Sequence, residues 1–342
     1  MRCYHSSMCR IAKFDREEVE VRHLRRAEWH EGDYVVAEVD DTSGLRNIEL
    51  TSGRLIELGE GDLVIGALGT RYATLEATGS WKFVEDDGKM HILTTGGVLG
   101  VCTSRSSQVP PLIEITYRGH VFRDDRKVSM KTVVPEVPEV LFETPVIVVI
   151  GTSMSAGKTT AARIVIRQLK RSGMKVVAAK LTGAGRFRDV LSMYDAGADY
   201  IFDFVDVGLP TTVVEKSEYE SALSKLLSHL GSVKADVAVI EVGASPLEPY
   251  NGTVAMEAID KNIQYTILCA SDPYAVVGVQ MAYDRQIDLV SGIATNTKAG
   301  AELVEKLSGL RALNVRDKRT LPELRNSILS SLNHDLQRRF AQ

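Results

Sequence analysis

The sequence predicts an α/β fold, in which a smaller β-rich part precedes a larger part built on a mostly parallel sheet flanked by helices. The apolar run 146–150 passes into a glycine-rich turn and then into a segment with helical spacing, in the order strand, loop, helix. After Pro145, apolar strands alternate with longer helical segments, which is typical of βαβ units. Before about residue 135, short stretches alternate apolar and polar residues, which favours antiparallel strands.

The N-terminal stretches are separated by Gly-Asp and Asp-Asp-Gly turns. They lie at 34–39, 47–50 and 112–117. We therefore expect a β-rich, antiparallel and barrel-like domain over 1–133. The glycine-rich segments 69–76 and 94–100 favour sharp bends of this domain, and the alternative is one wall of a substrate pocket. Arg71 and Arg105 are the residues whose mutation would test that alternative.

The chain of 342 residues is long for one domain, and length alone suggests two. The segment 134–139 carries two prolines, which disfavour a continuous helix or a central strand. We predict a linker over 134–145 and a nucleotide-binding α/β domain over 146–342.

Composition excludes few classes of function. A net charge of −4 with 25% charged residues gives no basic excess, so nucleic acid is not an expected partner. No apolar run approaches the roughly 20 residues that span a bilayer, and the N-terminus lacks the apolar segment of a secretory signal. We therefore expect no membrane partner and a cytoplasmic location. Cys3, His5 and Cys9 match no zinc-finger spacing, so incidental thiols are favoured over a metal site.

The glycine-rich turn has the residues of a phosphate-binding loop (P-loop). Loop N–H groups and the N-terminal end of the following helix converge on phosphate oxygens. Lys158 would reach the β- and γ-phosphates, and Thr159 would place its hydroxyl on Mg²⁺. Five residues separate Gly151 from Gly157, one more than usual, so Thr152 stands where the first glycine would fall. We predict ATP and Mg²⁺ as cofactors, held by Gly151, Thr152, Ser155, Ala156, Gly157, Lys158, Thr159 and Thr160.

A second strand, 175–179, leads into a lysine and a glycine-rich turn. Ligands of open α/β sheets bind at the carboxyl ends of the strands, so Lys180 is the candidate for a second cation facing a phosphoryl group or an anionic substrate. The alternative is a solvated lysine that ends a strand. Gly183 would let the backbone approach the substrate, and Arg186 and Arg188 would bind its carboxylates or phosphates.

A third strand, 236–240, ends at Glu241, which is the first choice for the Mg²⁺ carboxylate. Further carboxylates lie between the second and third strands, where most acidic residues are expected on solvated helix faces. They are Asp189, Asp195, Asp199, Asp203 and Asp206. Asp189 is preferred as a metal ligand or water-orienting base, because it follows the glycine-rich turn and two arginines. The predicted catalytic residues are Lys158, Lys180, Asp189 and Glu241, and the predicted metal ligands are Thr159, Asp189 and Glu241.

Asn296 follows a later apolar strand, 289–295. Its amide could pair with the donor and acceptor edge of adenine, or it could cap a turn. The residues leave these two roles open with equal weight.

Four segments together resemble the dethiobiotin synthetase-like branch of P-loop enzymes over roughly residues 146–300. They are GTSMSAGKT, KLTGAG, EVGAS and the strand-end Asn296. The resemblance implies a metal-binding role for Glu241, a position beside the substrate for Lys180, and adenine recognition by Asn296. Leu181 and Val242 depart from the proline and glycine of that family, so its own substrate is not implied.

The two-domain layout and the segment 241–250 also look like a poorly characterised P-loop family that includes D-glutamate N-acetyltransferases. That family usually places a basic residue between the loop lysine and threonine, whereas Thr159 follows Lys158 directly here.

The leading hypothesis is a Mg-ATP-dependent enzyme, ligase or kinase-like, that activates a small carboxylate- or carbamate-type substrate by phosphoryl transfer. The expected partners are a small-molecule carboxylate or amine and a second copy in a homodimer. The alternatives are a nucleotide-switched dimeric ATPase or regulator, and a coenzyme A-dependent N-acyltransferase.

Overall fold

The computed structural model describes residues 2–14, 19–243 and 245–340, without the side chains of 333–340. The chain divides into two compact units. The first unit comprises Met1–Val137, Gly183–Arg188 and Phe204–Leu223. The second unit comprises Pro138–Thr182, Asp189–Asp203 and Ser224–Gln342.

The first unit is β-rich. Its strands are β1 (Cys3–His5), β2 (Glu20–Arg22), β3 (Tyr34–Asp41), β4 (Asn47–Glu49), β5 (Leu55–Glu57), β6 (Leu63–Leu68), β7 (Thr70–Ala73), β8 (Ala77–Ser80), β9 (Lys89–Ile92), β10 (Val98–Arg105), β11 (Glu114–Arg123) and β12 (Arg126–Lys127). Five of these strands close into a ring in the order β6, β3, β11, β9, β10 and back to β6. The neighbours in the ring are antiparallel except β10 and β6, which are parallel. The predicted β-rich, antiparallel class is therefore confirmed.

The ring encloses apolar side chains of alternating positions. Val35, Ala37 and Val39 from β3 pack with Val64 from β6 and Ile115 from β11 in one buried cluster. Successive side chains of a strand point to opposite faces, so the apolar residues at every second position of β3 share the interior. The alternation read from the sequence thus sets the core of this unit.

The second unit is built on a parallel sheet. Its strands are β13 (Val146–Gly151), β14 (Val176–Thr182), β15 (Tyr200–Asp203), β16 (Val237–Val242), β17 (Ile263–Ala270) and β18 (Leu289–Gly292). They lie in the order β15, β14, β16, β13, β17, β18, and every neighbouring pair is parallel. All six residues of β13 are buried, as expected of a central strand covered on both faces.

Helices flank this sheet and complete the predicted class. The helices of the described chain are α1 (Lys158–Arg171), α2 (Phe187–Asp195), α3 (Lys216–Ser232), α4 (Gly252–Ile259), α5 (Pro273–Ala282), α6 (Lys298–Ser308) and α7 (Leu321–Phe340), and α2 and α3 begin in segments of the first unit. Ala161, Ala162, Val165, Ile166 and Leu169 form the apolar face of α1 and pack on the sheet. Their spacing of three and four residues places them on one side of the helix. Short 3-10 helices occur at Ser7–Ile11, Arg26–Glu28, Trp81–Phe83, Lys131–Val133, Phe204–Val207, Asp260–Asn262 and Ile293–Thr295.

The strands of the second unit run further than the sequence suggested. Strand β14 continues to Thr182 and β16 to Val242, so Lys180 and Glu241 lie inside strands rather than after them. Asp203 ends strand β15 and is buried, so the expectation of a solvated helix face is wrong for this carboxylate. Asn296 follows the 3-10 helix Ile293–Thr295, not the strand itself.

Residues 134–145, all of which are described, contain neither helix nor strand. The first compact unit takes in two segments from the C-terminal part of the chain, 183–188 and 204–223. The domain boundaries at 133 and 146 stay a prediction. Within the described residues, no helix is both long and apolar enough to cross a membrane.

Candidate functional site

The turn between β13 and α1 has the backbone conformation of a compact phosphate-binding loop. Ser155 has a φ of 63° and Gly157 a φ of 105°, both in the left-handed region. A Cβ on Gly157 would lie 3.3 Å from the Cα of Gly292, so glycine is favoured both by conformation and by close approach. Helix α1 starts at the next residue, Lys158. The strand, the turn and the helix therefore form a P-loop.

Thr152 anchors this loop to the neighbouring strand β17. Its main-chain N–H donates to the carbonyl oxygen of Cys269 at 3.0 Å, and its Oγ1 accepts from the N–H of Ser271 at 3.1 Å. These contacts occupy the threonine side chain at the end of β17. They give a structural reason for threonine at the place where the common pattern has glycine.

Lys158 is 5% exposed and lies along the start of the loop. Its Nζ donates to the carbonyl oxygen of Ser153 at 2.6 Å. A Cβ on Gly151 would lie 2.8 Å from the Lys158 Cδ, so glycine makes room for the lysine chain. Burial lowers the pKa of Lys158, and the negative charge of Glu241 opposes this shift. The lysine is therefore held inside the loop rather than extended into solvent.

Thr159 and Glu241 meet directly. The Thr159 Oγ1 donates to the Glu241 Oε2 at 2.9 Å, and Glu241 is 3% exposed. Burial raises the pKa of Glu241, and the ammonium groups of Lys180 and Lys158 offset part of this rise. A hydroxyl and a carboxylate are the hard oxygen ligands that Mg²⁺ takes from proteins. Two of the three predicted metal ligands are thus in hydrogen-bond contact.

Lys180 lies between carboxylates on both sides of strand β14. Its register partners are Asp203 on β15 and Glu241 on β16, and its Nζ forms an ion pair with the Asp189 Oδ2. Burial by itself lowers the pKa of Lys180, but Asp189 and Glu241 outweigh burial and raise it. Lys180 is therefore a charged lysine, and the solvated lysine of the alternative interpretation does not describe it.

The remaining predicted substrate residues belong to the first unit. Gly183 has a φ of 132°, and its N–H donates to the Thr212 Oγ1 at 3.0 Å. The side chains of Arg186 and Arg188 are exposed. The structure thus brings Lys158, Thr159, Lys180, Asp189 and Glu241 together in the second unit, while a substrate role for Gly183, Arg186 and Arg188 stays a prediction.

A small cavity of about 50 Å³ opens beside the loop. Gly157 and Thr160 line it together with Asn296, Asn314 and Arg316. Asn314 donates from Nδ2 to the carbonyl oxygen of Asn296 at 3.1 Å and accepts on Oδ1 from the N–H of Arg316 at 3.1 Å. Asn296 thus lines the cavity beside the loop, where a bound group could be recognised. Asn314 holds the main chain of Asn296 through its hydrogen bond.

Sequence reasoning missed several residues of this site. Glu248 attracts Lys158 electrostatically, and it lies in the segment that follows Glu241. Asn314 and Arg316 carried no motif. Asp203 was named only as one of several carboxylates, since no local pattern shows that it pairs in register with Lys180.

Two N-terminal arginines are engaged in the framework of the first unit. Arg71 donates to the carbonyl oxygen of Leu93 at 2.7 Å and forms an ion pair with Glu76. Arg105 donates to main-chain oxygens of its own loop. A Cβ on Gly96 would lie 2.3 Å from the carbonyl oxygen of Gly185, so this glycine allows close approach.

Across the described residues, no group of three His, Cys, Asp or Glu side chains is placed to hold a metal by itself.

No protein-family model and no curated protein matches this sequence. Among solved structures, the chain is similar to the signal recognition particle receptor FtsY from Elizabethkingia anophelis, with 16% identity over 61% of this chain and 75% of that one and a TM-score of 0.38. HypB from Helicobacter pylori, in complex with nickel, shows 17% identity over 58% and 89% with a TM-score of 0.35. A DUF1611-family protein from Anabaena variabilis shows 15% identity over 58% and 63% with a TM-score of 0.37. The strand order and the loop geometry of this chain define its P-loop fold independently of these similarities.

Proposed function

We propose that the second unit binds Mg-ATP and that the chain activates a small carboxylate- or carbamate-type substrate by phosphoryl transfer. The observation that carries this proposal is the hydrogen bond between Thr159 and Glu241, formed directly beside the buried Lys158 of the loop. A hydroxyl, a carboxylate and a loop lysine in this order are the protein groups that Mg-nucleotide needs.

A buried polar atom in the loop supports the fit. The Ser153 Oγ is buried and has no hydrogen-bond partner among the described residues. An unsatisfied buried hydroxyl costs free energy, and a phosphate oxygen bound in the loop is one group that would satisfy it. Within the described residues, the hydrogen bond of the Lys158 Nζ goes to a neutral carbonyl, so its charge is available to phosphate oxygens.

The residues of the site suffice for phosphoryl transfer, which is chiefly positioning and charge neutralisation. The nucleotide supplies the γ-phosphoryl group, which an acceptor oxygen takes as the bond to the β-phosphate breaks. Lys158 holds the phosphates, Thr159 and Glu241 hold the metal, and Asp189 orients the acceptor or a water. Lys180 neutralises charge on the acceptor side.

The test is isothermal titration of the full chain with a non-hydrolysable ATP analogue and Mg²⁺. Wild type should bind the analogue, and Lys158→Ala should lose this binding. Lys170→Ala is the matched control, because Lys170 lies on the same helix α1 and pairs with Asp199 at the surface. Competition by GTP decides between the two purine nucleotides.

Acetyl coenzyme A is titrated in parallel. Binding of acetyl coenzyme A without binding of the ATP analogue would contradict the proposal and move the function to acyl transfer. Retained binding of the analogue by Lys158→Ala would also contradict it. The homodimer expected from the sequence is checked by light scattering with and without nucleotide, and a nucleotide-dependent change of mass in the absence of any acceptor would favour a switch.

A further inference from the structure

We propose that Lys180 is the internal counter-cation of the metal site, so that a divalent cation enters this site only together with the phosphates of the nucleotide. The inference rests on the proposed function and adds a rule for loading the same site. It gives Lys180 a role in the nucleotide-free protein, before any acceptor is present.

Lys180 has carboxylate neighbours on both adjacent strands. Residues that pair in register on neighbouring strands point to the same face of a sheet. Asp203, Lys180 and Glu241 are such neighbours across β15, β14 and β16, and they are 1%, 7% and 3% exposed. The ammonium of Lys180 therefore lies between two buried carboxylates, and it pairs with a third, Asp189.

The carboxylates around Lys180 carry negative charge that its ammonium group balances in part. Lys180 pairs with Asp189 and is the register neighbour of Asp203 and Glu241, so three carboxylates attract its ammonium. Lys158 also acts on Glu241, and its Nζ bonds the carbonyl oxygen of Ser153. Lys180 thus balances part of the negative charge of three carboxylates when no metal is bound.

A divalent cation at Thr159 and Glu241 would face this ammonium. Like charges at short range in a buried site repel strongly, because little water screens them. The metal alone would meet this repulsion at carboxylates that Lys180 already partly neutralises, whereas phosphate oxygens bring further negative charge that offsets it. The chain therefore discriminates between the free metal and the metal–nucleotide complex through one lysine.

The experiment titrates Mn²⁺ alone into the nucleotide-free full chain and measures bound metal by electron paramagnetic resonance. Lys180→Met keeps the length of the side chain and removes its charge. We expect it to bind Mn²⁺ at least about tenfold more tightly than wild type, as the loss of one repulsive charge in a poorly screened site requires. Lys180→Arg keeps the positive charge, so it should not bind Mn²⁺ more tightly than wild type.

Lys170→Met is the matched control, because it removes another lysine of the second unit that pairs with an aspartate, Asp199, at 2.7 Å. It should leave Mn²⁺ binding unchanged. Since Lys180→Met removes a positive charge from among buried carboxylates, its melting temperature is measured. The double variant Lys180→Met with Asp203→Asn is prepared as well, together with Asp203→Asn alone, because it also removes one of the buried negative charges. The double variant should bind Mn²⁺ more tightly than Asp203→Asn alone, because these two chains differ only in the charge at position 180.

Unchanged or weaker Mn²⁺ binding by folded Lys180→Met relative to wild type, or by the folded double variant relative to Asp203→Asn, would overturn the inference. The measurement contains no nucleotide, so it stands apart from the test of the proposed function. A wild type that fails to bind the ATP analogue would refute the proposed function, and the Mn²⁺ titration would still report the charge of Lys180.

Discussion

Glu49 offers a sharp test of how the first unit is held together. This carboxylate at the end of β4 is fully buried and accepts the N–H groups of Phe187 at 2.7 Å and Arg188 at 3.0 Å. These are the first residues of α2, where N–H groups have no helical partner and the helix dipole favours a negative charge. Glu49→Gln keeps the shape, but its amide nitrogen then faces one N–H.

The magnitude follows from these two bonds. A hydrogen bond to a charged group contributes about 1.5–3 kcal/mol, and a buried N–H left unsatisfied costs about 1–3 kcal/mol. The lower desolvation cost of the neutral amide offsets part of the loss. We expect Glu49→Gln to lower the free energy of unfolding by roughly 2–4 kcal/mol.

The assay is urea unfolding followed by circular dichroism at a fixed pH. The matched control is Glu28→Gln, because Glu28 accepts the N–H of Arg25 at 3.1 Å at an exposed 3-10 helix. The control should leave the unfolding midpoint unchanged. Equal midpoints and equal slopes for Glu49→Gln and wild type would refute the assignment of a stabilising cap.

Three further predictions concern single side chains. Thr159→Ala should retain nucleotide binding without Mg²⁺ and lose the Mg²⁺-dependent increase, which titration of the ATP analogue with and without metal checks. Asn314→Ala should weaken binding of the analogue about fivefold, as expected when one hydrogen bond that holds Asn296 is lost. Equal affinities of Asn314→Ala and wild type for the analogue would contradict a role of this cavity in nucleotide binding. Burial raises the pKa of Glu31 to about 7, so the folded chain binds this proton more tightly than the unfolded chain. Stability should therefore fall as pH rises from about 4.5 to about 7, and Glu31→Gln should remove this part of the pH dependence in urea unfolding at several pH values.

Much of the second unit could be predicted because its signals are local. The run 146–150 is apolar at every position and is buried at every position as β13. The loop and the start of α1 follow within a few residues, so spacing alone predicted that Lys158 and Thr159 would lie at the helix start. The type of each element was therefore accessible from the sequence, while the ends of β14 and β16 were placed short.

The limits of prediction in the site have one physical cause, which is strand register. Lys180 was expected to face a phosphoryl group because it follows an apolar run, and this reasoning used only its own strand. Its charge environment is set by Asp203 and Glu241, which arrive through separate strands of the parallel sheet. No spacing within one segment encodes that pairing, because each crossover in a parallel sheet passes through a long connection.

Distance along the sequence also explains why a role could be predicted for Glu241 but not for Glu49. Glu241 could be chosen from the sequence because a strand end beside a phosphate loop has a known chemical task. Glu49 could not, because its two partners lie 138 and 139 residues away and its own segment shows only a short alternating strand. If Glu49→Gln destabilises the chain while leaving the affinity of the loop for nucleotide intact, its carboxylate is a structural cap. A loss of affinity at unchanged stability would instead assign it to the site, and the sequence contains no local signal that distinguishes these outcomes.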